Sequence, residues 1–510
     1  MDFNLRKENI NYAKIILNTS FTQEETMEMI VPDALPDILR VADTDATVLL
    51  RTKEADTGRV SVSGVIGATI LYAPDGLSGV RKMELNIPFN AMAADAEISS
   101  SSKVVAHVSV TSIDSSIINP RKILVRAEIL VSISCYNDMM LSVCAGVEEE
   151  KNLEVLTASR ELYAIEGIRE KTFIISDELS LPGSNPPIDE ILKTKVHITV
   201  NDAKIVGNKL IFRGDTNISV LYRPEGGGEM TTAEFSSEYS QIAEFDNVPE
   251  NCDFEIKIML TGAYFNTETA GESGRVIATE INAVAQCVAA AKREITFIAD
   301  AYSTNFALDY SVERLDFNSK LERFTLNDTF REGIDTATEV KAVLSANARA
   351  GAVSVSVADG KAEFKTTIFI SGIYISDDGR IMPFTRKFEA QSSADAKVGH
   401  MYSAEAICGK ELYATPSGNS IEVRVPVDFM VTETYQECIT AIDGISCDEE
   451  AALDISGKPS LIIHRAILDD TIWKLAKNHH STKELILSAN EIENEEKIVE
   501  GSLLIIPKRR

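Results

Sequence analysis

Histidines, cysteines and glycine-rich segments are the places where this 510-residue chain could perform chemistry. None of its six histidines lies in an H-E-x-x-H motif or beside a cysteine pair, the arrangements that bind zinc. No G-x-S-x-G motif occurs, and no nucleophile signature surrounds any of the seven cysteines. The sequence therefore predicts no enzyme, no metal site and no cofactor.

Two glycine-containing segments could hold a phosphate group, but their context argues against it. The glycines at 226–228 follow a strand pattern and no helix comes after them, so we interpret them as a hairpin loop. Gly457 and Lys458 lack the upstream glycine of a nucleotide-binding P-loop. Any ATPase activity associated with this chain is therefore expected to belong to a partner.

Trp473 is the only tryptophan, and tryptophan is enriched at the energetic centres of protein interfaces. It lies roughly 100° away from the expected buried face of a helix that carries Ile472, Leu475 and Ala476. Two interpretations stay open: a flank residue half covered by its neighbours, or an aromatic anchor for a partner protein.

Charge and hydropathy limit the classes of partner. The formal net charge is −28, which disfavours the phosphates of nucleic acid and anionic membrane surfaces. No apolar run reaches the length of about 18 residues that a membrane-spanning helix needs, and the first thirty residues do not resemble a signal peptide. We therefore predict no nucleic-acid partner, no direct membrane insertion and a cytoplasmic location.

The elements that would position these residues repeat along the chain. Segments 59–76, 209–226 and 361–379 alternate polar and apolar residues, and each has a basic residue thirteen positions before a tyrosine. Alternation with period two predicts strands, and we expect 59–76 to be two strands ending in a hairpin turn. The shared spacing of Tyr72, Tyr222 and Tyr374 predicts an internal repeat.

A second alternating run follows each tyrosine, at 123–134, 276–287 and 421–432. Apart from the C-terminal domain, the sequence has two helical patches, at 156–169 and 310–324, both between the repeats. We therefore predict a mainly β protein, with three sandwich- or barrel-like β-rich repeats followed by a small βααβ α+β domain. The predicted limits are 1–165, 166–292 and 293–445 for the repeats, 446–459 for a linker, and 460–510 for the C-terminal domain.

The C-terminal domain carries a pattern with its own family resemblance. The residues in that pattern are Asp470, Thr471, Ile472, Leu475, Ala476, Ala489, Asn490, Ile498, Gly501, Ile506 and Pro507. They resemble a LysM domain, although Asp469 replaces the turn glycine of the family. The resemblance implies a groove between loops 469–473 and 491–498, which holds N-acetylglucosamine in the glycan-binding members of that family.

The repeats resemble SPOCS domains, the β-rich units of bacterial spore-coat assembly proteins. The residues that carry this resemblance are Pro36, Asp37, Ile38, Leu39, Gly64, Leu71, Tyr72 and Phe89 in the first copy, and Gly214, Leu221, Tyr222, Pro224 and Gly226 in the second. The third copy is more divergent, with Thr366 at the position of Gly64 and Gly214. Three such units and one LysM domain are similar to spore-coat morphogenetic proteins of the SipL type.

That resemblance implies a non-enzymatic adaptor in the mother-cell cytoplasm, at the forespore surface and the spore coat. Its implied partners are stage IV sporulation protein A, which is the coat basement-layer ATPase, and other spore coat proteins. The alternative is a peptidoglycan-binding protein that recognises N-acetylglucosamine at the cell wall or spore cortex.

We predict that the LysM-like groove binds a protein, because glutamates at 491, 493, 495 and 496 suit a basic protein surface better than a neutral sugar. The predicted partner-binding residues are Asp469, Asp470, Thr471, Ile472, Trp473, Lys474, Glu493, Asn494 and Ile498.

Overall fold

The computed structural model of the chain describes residues 2–77, 79–148, 153–246, 248–267, 274–409, 412–452, 459–492 and 498–508. The chain is 76% strand and 3% helix. Multiple β sheets form the repeats, and two short helices lie near the C-terminus. The predicted fold class, mainly β with a small βααβ domain at the end, is confirmed.

The first repeat folds as two packed antiparallel sheets. Its strands are β1 (Leu5–Ile30), β2 (Ile38–Asp56), β3 (Arg59–Pro74), β4 (Arg81–Ala94), β5 (Lys103–Asn119) and β6 (Lys122–Val147). Strand β3 pairs with β2 and β4, whereas β6 pairs with β1 and β5. The alternating apolar residues of β3 and β6 face each other and form one buried core, as the period of two requires.

The second and third repeats have the same strand order with a short additional strand beside the central tyrosine strand, and the third has a further short strand beside its last strand. The second repeat comprises β7 (Leu153–Ser180), β8 (Ile188–Ile198), β9 (Asp202–Val206), β10 (Lys209–Pro224), β11 (Thr231–Glu244), β12 (Asp253–Asn266) and β13 (Val276–Ser303). The third comprises β14 (Phe306–Asp335), β15 (Val340–Ala350), β16 (Ser354–Ala358), β17 (Lys361–Ser376), β18 (Ile381–Asp395), β19 (His400–Cys408), β20 (Tyr413–Pro416) and β21 (Ser420–Ala452).

The repeated tyrosines perform the same structural role in each copy. All three are buried in the cores, at 2% exposure or less. The hydroxyl of Tyr72 donates to the carbonyl of Pro36 and that of Tyr222 to the carbonyl of Pro186, each at 3.0 Å. The hydroxyl of Tyr374 lies 3.3 Å from Oγ1 of Thr338, again 36 residues earlier. A buried tyrosine needs a partner for its polar end, so this spacing marks a packing position.

The local prediction is wrong for three segments: 59–76, 156–169 and 310–324. Segment 59–76 holds one continuous strand, β3, rather than two. Segments 156–169 and 310–324 are strands because β7 and β14 pair along their length with β13 and β21.

The predicted repeat limits at 165, 292 and 445 fall inside β7, β13 and β21, and those limits stay predictions. Part of the predicted linker belongs to β21, and residues 453–458 lie outside the described residues.

A close approach between two strands explains a glycine that recurs in the repeats. A Cβ added to Gly214 would lie 1.7 Å from the carbonyl oxygen of Thr199, and one added to Gly64 would lie 2.4 Å from that of Leu49. In the third repeat the glycine is Gly351, directly after β15, and Thr366 donates to its carbonyl at 2.9 Å. The substitution at 366 is therefore compensated across the strand pair.

Equivalent residues of all three repeats meet in one apolar cluster. Leu71, Leu221 and Ile373, each directly before its tyrosine, are almost fully buried in it. The cluster also contains Ala42, Val80, Leu192, Met230, Leu344 and Ile381. Each repeat therefore packs against the other two through this cluster, which is separate from the cores of the three repeats.

A buried charged cluster lies beside this apolar contact and also joins the three repeats. Lys193 Nζ lies 2.5 Å from Oδ2 of Asp43 and 3.4 Å from Oδ2 of Asp45. Asp45 also accepts a hydrogen bond from Arg349 and lies 4.0 Å from Lys195 Nζ. Burial alone would lower the pKa of Lys193, but Asp45 and Asp43 raise it. The cluster links β2, β8 and β15 through charged side chains that are buried or largely buried.

The C-terminal domain follows the repeats as strand, helix, helix and strand. Its elements are β22 (Leu461–Arg465), α1 (Ile472–His479), α2 (Lys483–Ala489) and β23 (Leu503–Pro507). The two strands pair antiparallel, with Ile463 opposite Ile505. Both helices pack against this pair and bury Ile472, Leu475 and Ile486.

Candidate functional site

The predicted groove begins at the loop between β22 and α1, which short polar side chains hold in place. Oδ2 of Asp470 accepts from the backbone N–H of Ile467 at 3.0 Å and lies 2.7 Å from Nε2 of His464. These two contacts hold the pKa of Asp470 below its usual value. Thr471 is the N-cap of α1, since its hydroxyl accepts from the N–H of Lys474 at 3.1 Å. Asp470 and Thr471 therefore shape the loop itself.

The far side of the groove begins after α2, where Asn490 joins the helix to the last strand. Its side-chain amide donates to the carbonyls of Ile486 and Ile505 at 2.7 Å, and its Oδ1 accepts from the N–H of Ile505 at 2.7 Å. Glu491 then takes a left-handed backbone conformation, with φ of 54°. Of the other predicted residues on this side, Ile498 packs against the domain core, whereas Glu493 and Asn494 lie outside the described residues.

Trp473 points away from solvent and into a contact with the second repeat. The side chain is only 7% exposed, so of the two interpretations left open, the half-covered flank residue is wrong. Its indole ring packs edge-on against Tyr302 of β13, with ring centroids 4.9 Å apart and an interplanar angle of 68°. Its Nε1–H donates to Oδ2 of Asp300 at 2.8 Å.

The rest of the predicted site divides between surface and core. Asp469, Thr471 and Lys474 are exposed at the start of α1, where Lys474 Nζ donates to the carbonyl of Asp469 at 2.9 Å. Ile472 is buried in the domain core. The structure thus brings the exposed loop residues together at one end of α1, and their role in binding a partner stays a prediction.

The exposed apolar surface that the strand pair of this domain carries was not predicted from the sequence. Leu461 and Ile463 of β22 and Leu503 and Ile505 of β23 all point outward from the strand pair. Ile463 is 64% and Leu503 68% exposed. The neighbouring loops add further exposed apolar residues: Ile467, Leu468 and Val499. We call these seven residues the outer face. The continuous apolar runs LII at 461–463 and LLII at 503–506 were the available signal, because successive residues of a strand point to opposite faces and an unbroken run makes both faces apolar.

The described residues contain no group of three or more His, Cys, Asp or Glu side chains placed to hold a metal ion. The thiols of the repeat cores are not activated either. Burial raises the pKa of Cys135 to about 11 and that of Cys287 to about 12. A nucleophilic cysteine needs a lowered pKa, so these thiols are packing residues.

Comparison with protein families finds matches in the first two repeats and in the C-terminal domain. The family described as "SipL, SPOCS domain" matches residues 37–118 and 187–267, in the first and second repeats. The LysM domain family matches residues 465–507. The chain is thus a β-rich repeat protein with a C-terminal LysM domain, and both families are non-catalytic.

This combination of domains matches that of SipL-type proteins and supports a sporulation-related protein. No curated protein matches the sequence. Within the described residues, no helix is long and apolar enough to cross a membrane.

Proposed function

We propose that this chain is a non-enzymatic adaptor of spore coat assembly. Its LysM domain binds stage IV sporulation protein A, the coat basement-layer ATPase, and its repeats bind other spore coat proteins. It works in the mother-cell cytoplasm, at the forespore surface. The observation that supports protein binding most directly is the outer face of the LysM strand pair.

The chemistry of the outer face suits a protein better than a sugar. Its centre is the cross-strand pair Ile463 and Ile505, flanked by Leu461 and Leu503. Aliphatic side chains gain free energy when water leaves them, at about 25 cal/mol per Å² of buried apolar surface. A protein partner with its own apolar patch supplies that burial, whereas a sugar ring edged with hydroxyl groups needs hydrogen-bond partners that these side chains lack.

The exposed loop residues predicted from the sequence complete the proposed interface. Asp469, Thr471 and Lys474 directly follow Ile467 and Leu468, so they form a polar rim beside the outer face. An apolar centre with a polar, solvent-accessible rim is the usual organisation of a protein interface. Trp473 lies against the second repeat and does not contribute to this surface.

Calorimetry of the full chain against the purified ATPase tests the proposal. Because a residue at the centre of an interface contributes about 2 kcal/mol or more, Ile463→Asp should weaken binding by about thirtyfold. The matched control is Val398→Asp, at a fully exposed valine of the third repeat, which should bind like the wild type. Unchanged binding by Ile463→Asp would contradict the proposed interface.

The second candidate function is peptidoglycan binding, which the LysM family match favours. The same calorimetry with chitin oligomers distinguishes the two. Tight binding of oligomers together with no binding of the ATPase would overturn the adaptor function and support the recognition of N-acetylglucosamine at the cell wall or cortex.

A further inference from the structure

The second repeat contacts the LysM domain through two neighbouring residues at the end of β13. Asp300 accepts from two side chains of α1, Trp473 Nε1 at 2.8 Å and Lys477 Nζ at 2.6 Å. Tyr302 packs against the Trp473 ring, and its hydroxyl donates to the carbonyl of Ser481 at 2.9 Å. Tyr302 is only 5% exposed because the LysM domain covers it.

The three repeats provide an internal control for this contact. Each long strand has a β-bulge at the same place, where Ala145, Ala299 or Asp443 is left without a partner in the pairing register. The residue directly after the bulge is a glycine in the first and third repeats, Gly146 and Gly444. In the second repeat it is Asp300.

The same comparison holds two residues further along the strand. The position of Tyr302 is occupied by Glu148 in the first repeat and Ser446 in the third. The repeat fold therefore requires neither an aspartate nor a tyrosine at these places. The two side chains occur together in the one repeat that contacts Trp473.

We propose that Asp300 and Tyr302 form a docking site for the LysM domain, specific to the second repeat, that shields Trp473 from outside partners. In this site the carboxylate of Asp300 accepts a hydrogen bond from the indole N–H, and the ring of Tyr302 packs against the indole ring. The ion pair between Asp300 and Lys477 fixes the orientation of α1 on the repeat. Docking leaves the outer face of β22 and β23 exposed.

Two consequences follow for access to the domain. A partner that binds only the outer face can bind the docked domain directly. A partner that requires Trp473 must first displace the tryptophan from Asp300 and Tyr302. The apparent affinity of that partner is therefore its intrinsic affinity multiplied by the fraction of molecules that are undocked. This second point rests on the proposed function, whereas docking itself does not.

The single tryptophan makes docking directly measurable in the full chain, because all tryptophan fluorescence comes from Trp473. The variants are Asp300→Gly and Tyr302→Ser, which introduce the residues that the third repeat carries at these positions. The control is Asp443→Ala, which gives the third repeat the bulge residue of the other two. Acrylamide quenching is compared with the chain unfolded in guanidinium, and circular dichroism confirms that each variant is folded.

Both docking variants should raise the quenching constant about threefold or more, towards that of the unfolded chain, because undocked Trp473 meets solvent. Asp443→Ala should leave it at the low wild-type value. Equal quenching of wild type and both folded docking variants would overturn the proposal, as would a wild-type constant already equal to that of the unfolded chain. Failure of the ATPase to bind any of these proteins would count against the proposed function only.

Discussion

The buried charged cluster predicts a large loss of stability when Asp45 is neutralised. In Asp45→Asn, the cations of Lys193, Lys195 and Arg349 keep their burial but lose the carboxylate that they share. At an effective dielectric constant of about 20, unit charges 3.4 Å apart attract each other by about 5 kcal/mol. Part of this attraction is offset by the cost of desolvating the carboxylate. Removing one partner of a buried ion pair costs about 3–5 kcal/mol in total, and we expect that loss here.

Urea unfolding of the full chain, followed by circular dichroism at pH 7, measures the effect. Asp45→Asn should shift the first unfolding transition to much lower urea, because the cluster joins all three repeats. The control is Asp56→Asn, an exposed aspartate of the same strand whose ion pair is with exposed Arg59. The double variant Asp45→Asn/Arg349→Met should lose less free energy of unfolding than the sum of the losses in the two single variants. A shift for Asp45→Asn no larger than that of the control would refute the reasoning.

Three further outcomes can be checked by the same unfolding measurements. Gly214→Ala should destabilise the second repeat, because its Cβ would overlap the carbonyl of Thr199, whereas Gly333→Ala, with open space around its Cβ, should change the midpoint little. Asn490→Ala should lower the stability of the LysM domain by about 1–3 kcal/mol, because it leaves the backbone N–H and carbonyl of Ile505 without their side-chain partner. Unfolding of that domain at the wild-type midpoint would contradict this role of Asn490. Burial lowers the pKa of Lys195 from 10.5 to about 8, so between these pH values the unfolded chain binds more protons than the folded chain. The free energy of unfolding should therefore rise from pH 8 to 10.5, and it should rise less in Lys195→Met. An equal rise in both proteins would contradict the lowered pKa of Lys195.

The repeat architecture could be predicted because its signals are local. Alternation fixes which face of β3, β10 and β17 is buried, and the spacing to Tyr72, Tyr222 and Tyr374 is the same in each copy. Both signals lie within a few residues of the structure that they specify, so they survive without knowledge of the tertiary contacts.

The incorrect predictions involve contacts between residues far apart in sequence. Segment 156–169 has a helical pattern, but pairing with β13 determines its conformation. Trp473 lies off the helix face that the LysM core buries, and it is covered by Tyr302, which is 171 positions earlier in the printed sequence. Asp45 and Lys193 likewise meet only because the three repeats pack together. No local pattern contains these contacts.

Capture of the ATPase from sporulating cells tests the adaptor function most directly. The full chain is immunoprecipitated with and without prior muramidase digestion, and stage IV sporulation protein A is detected in the precipitate by immunoblot. An adaptor should capture the ATPase equally well after the glycan has been digested, and Ile463→Asp should lose it while Val398→Asp keeps it. Absence of the ATPase from every precipitate, with the chain sedimenting with intact peptidoglycan and released by muramidase, would contradict the adaptor function.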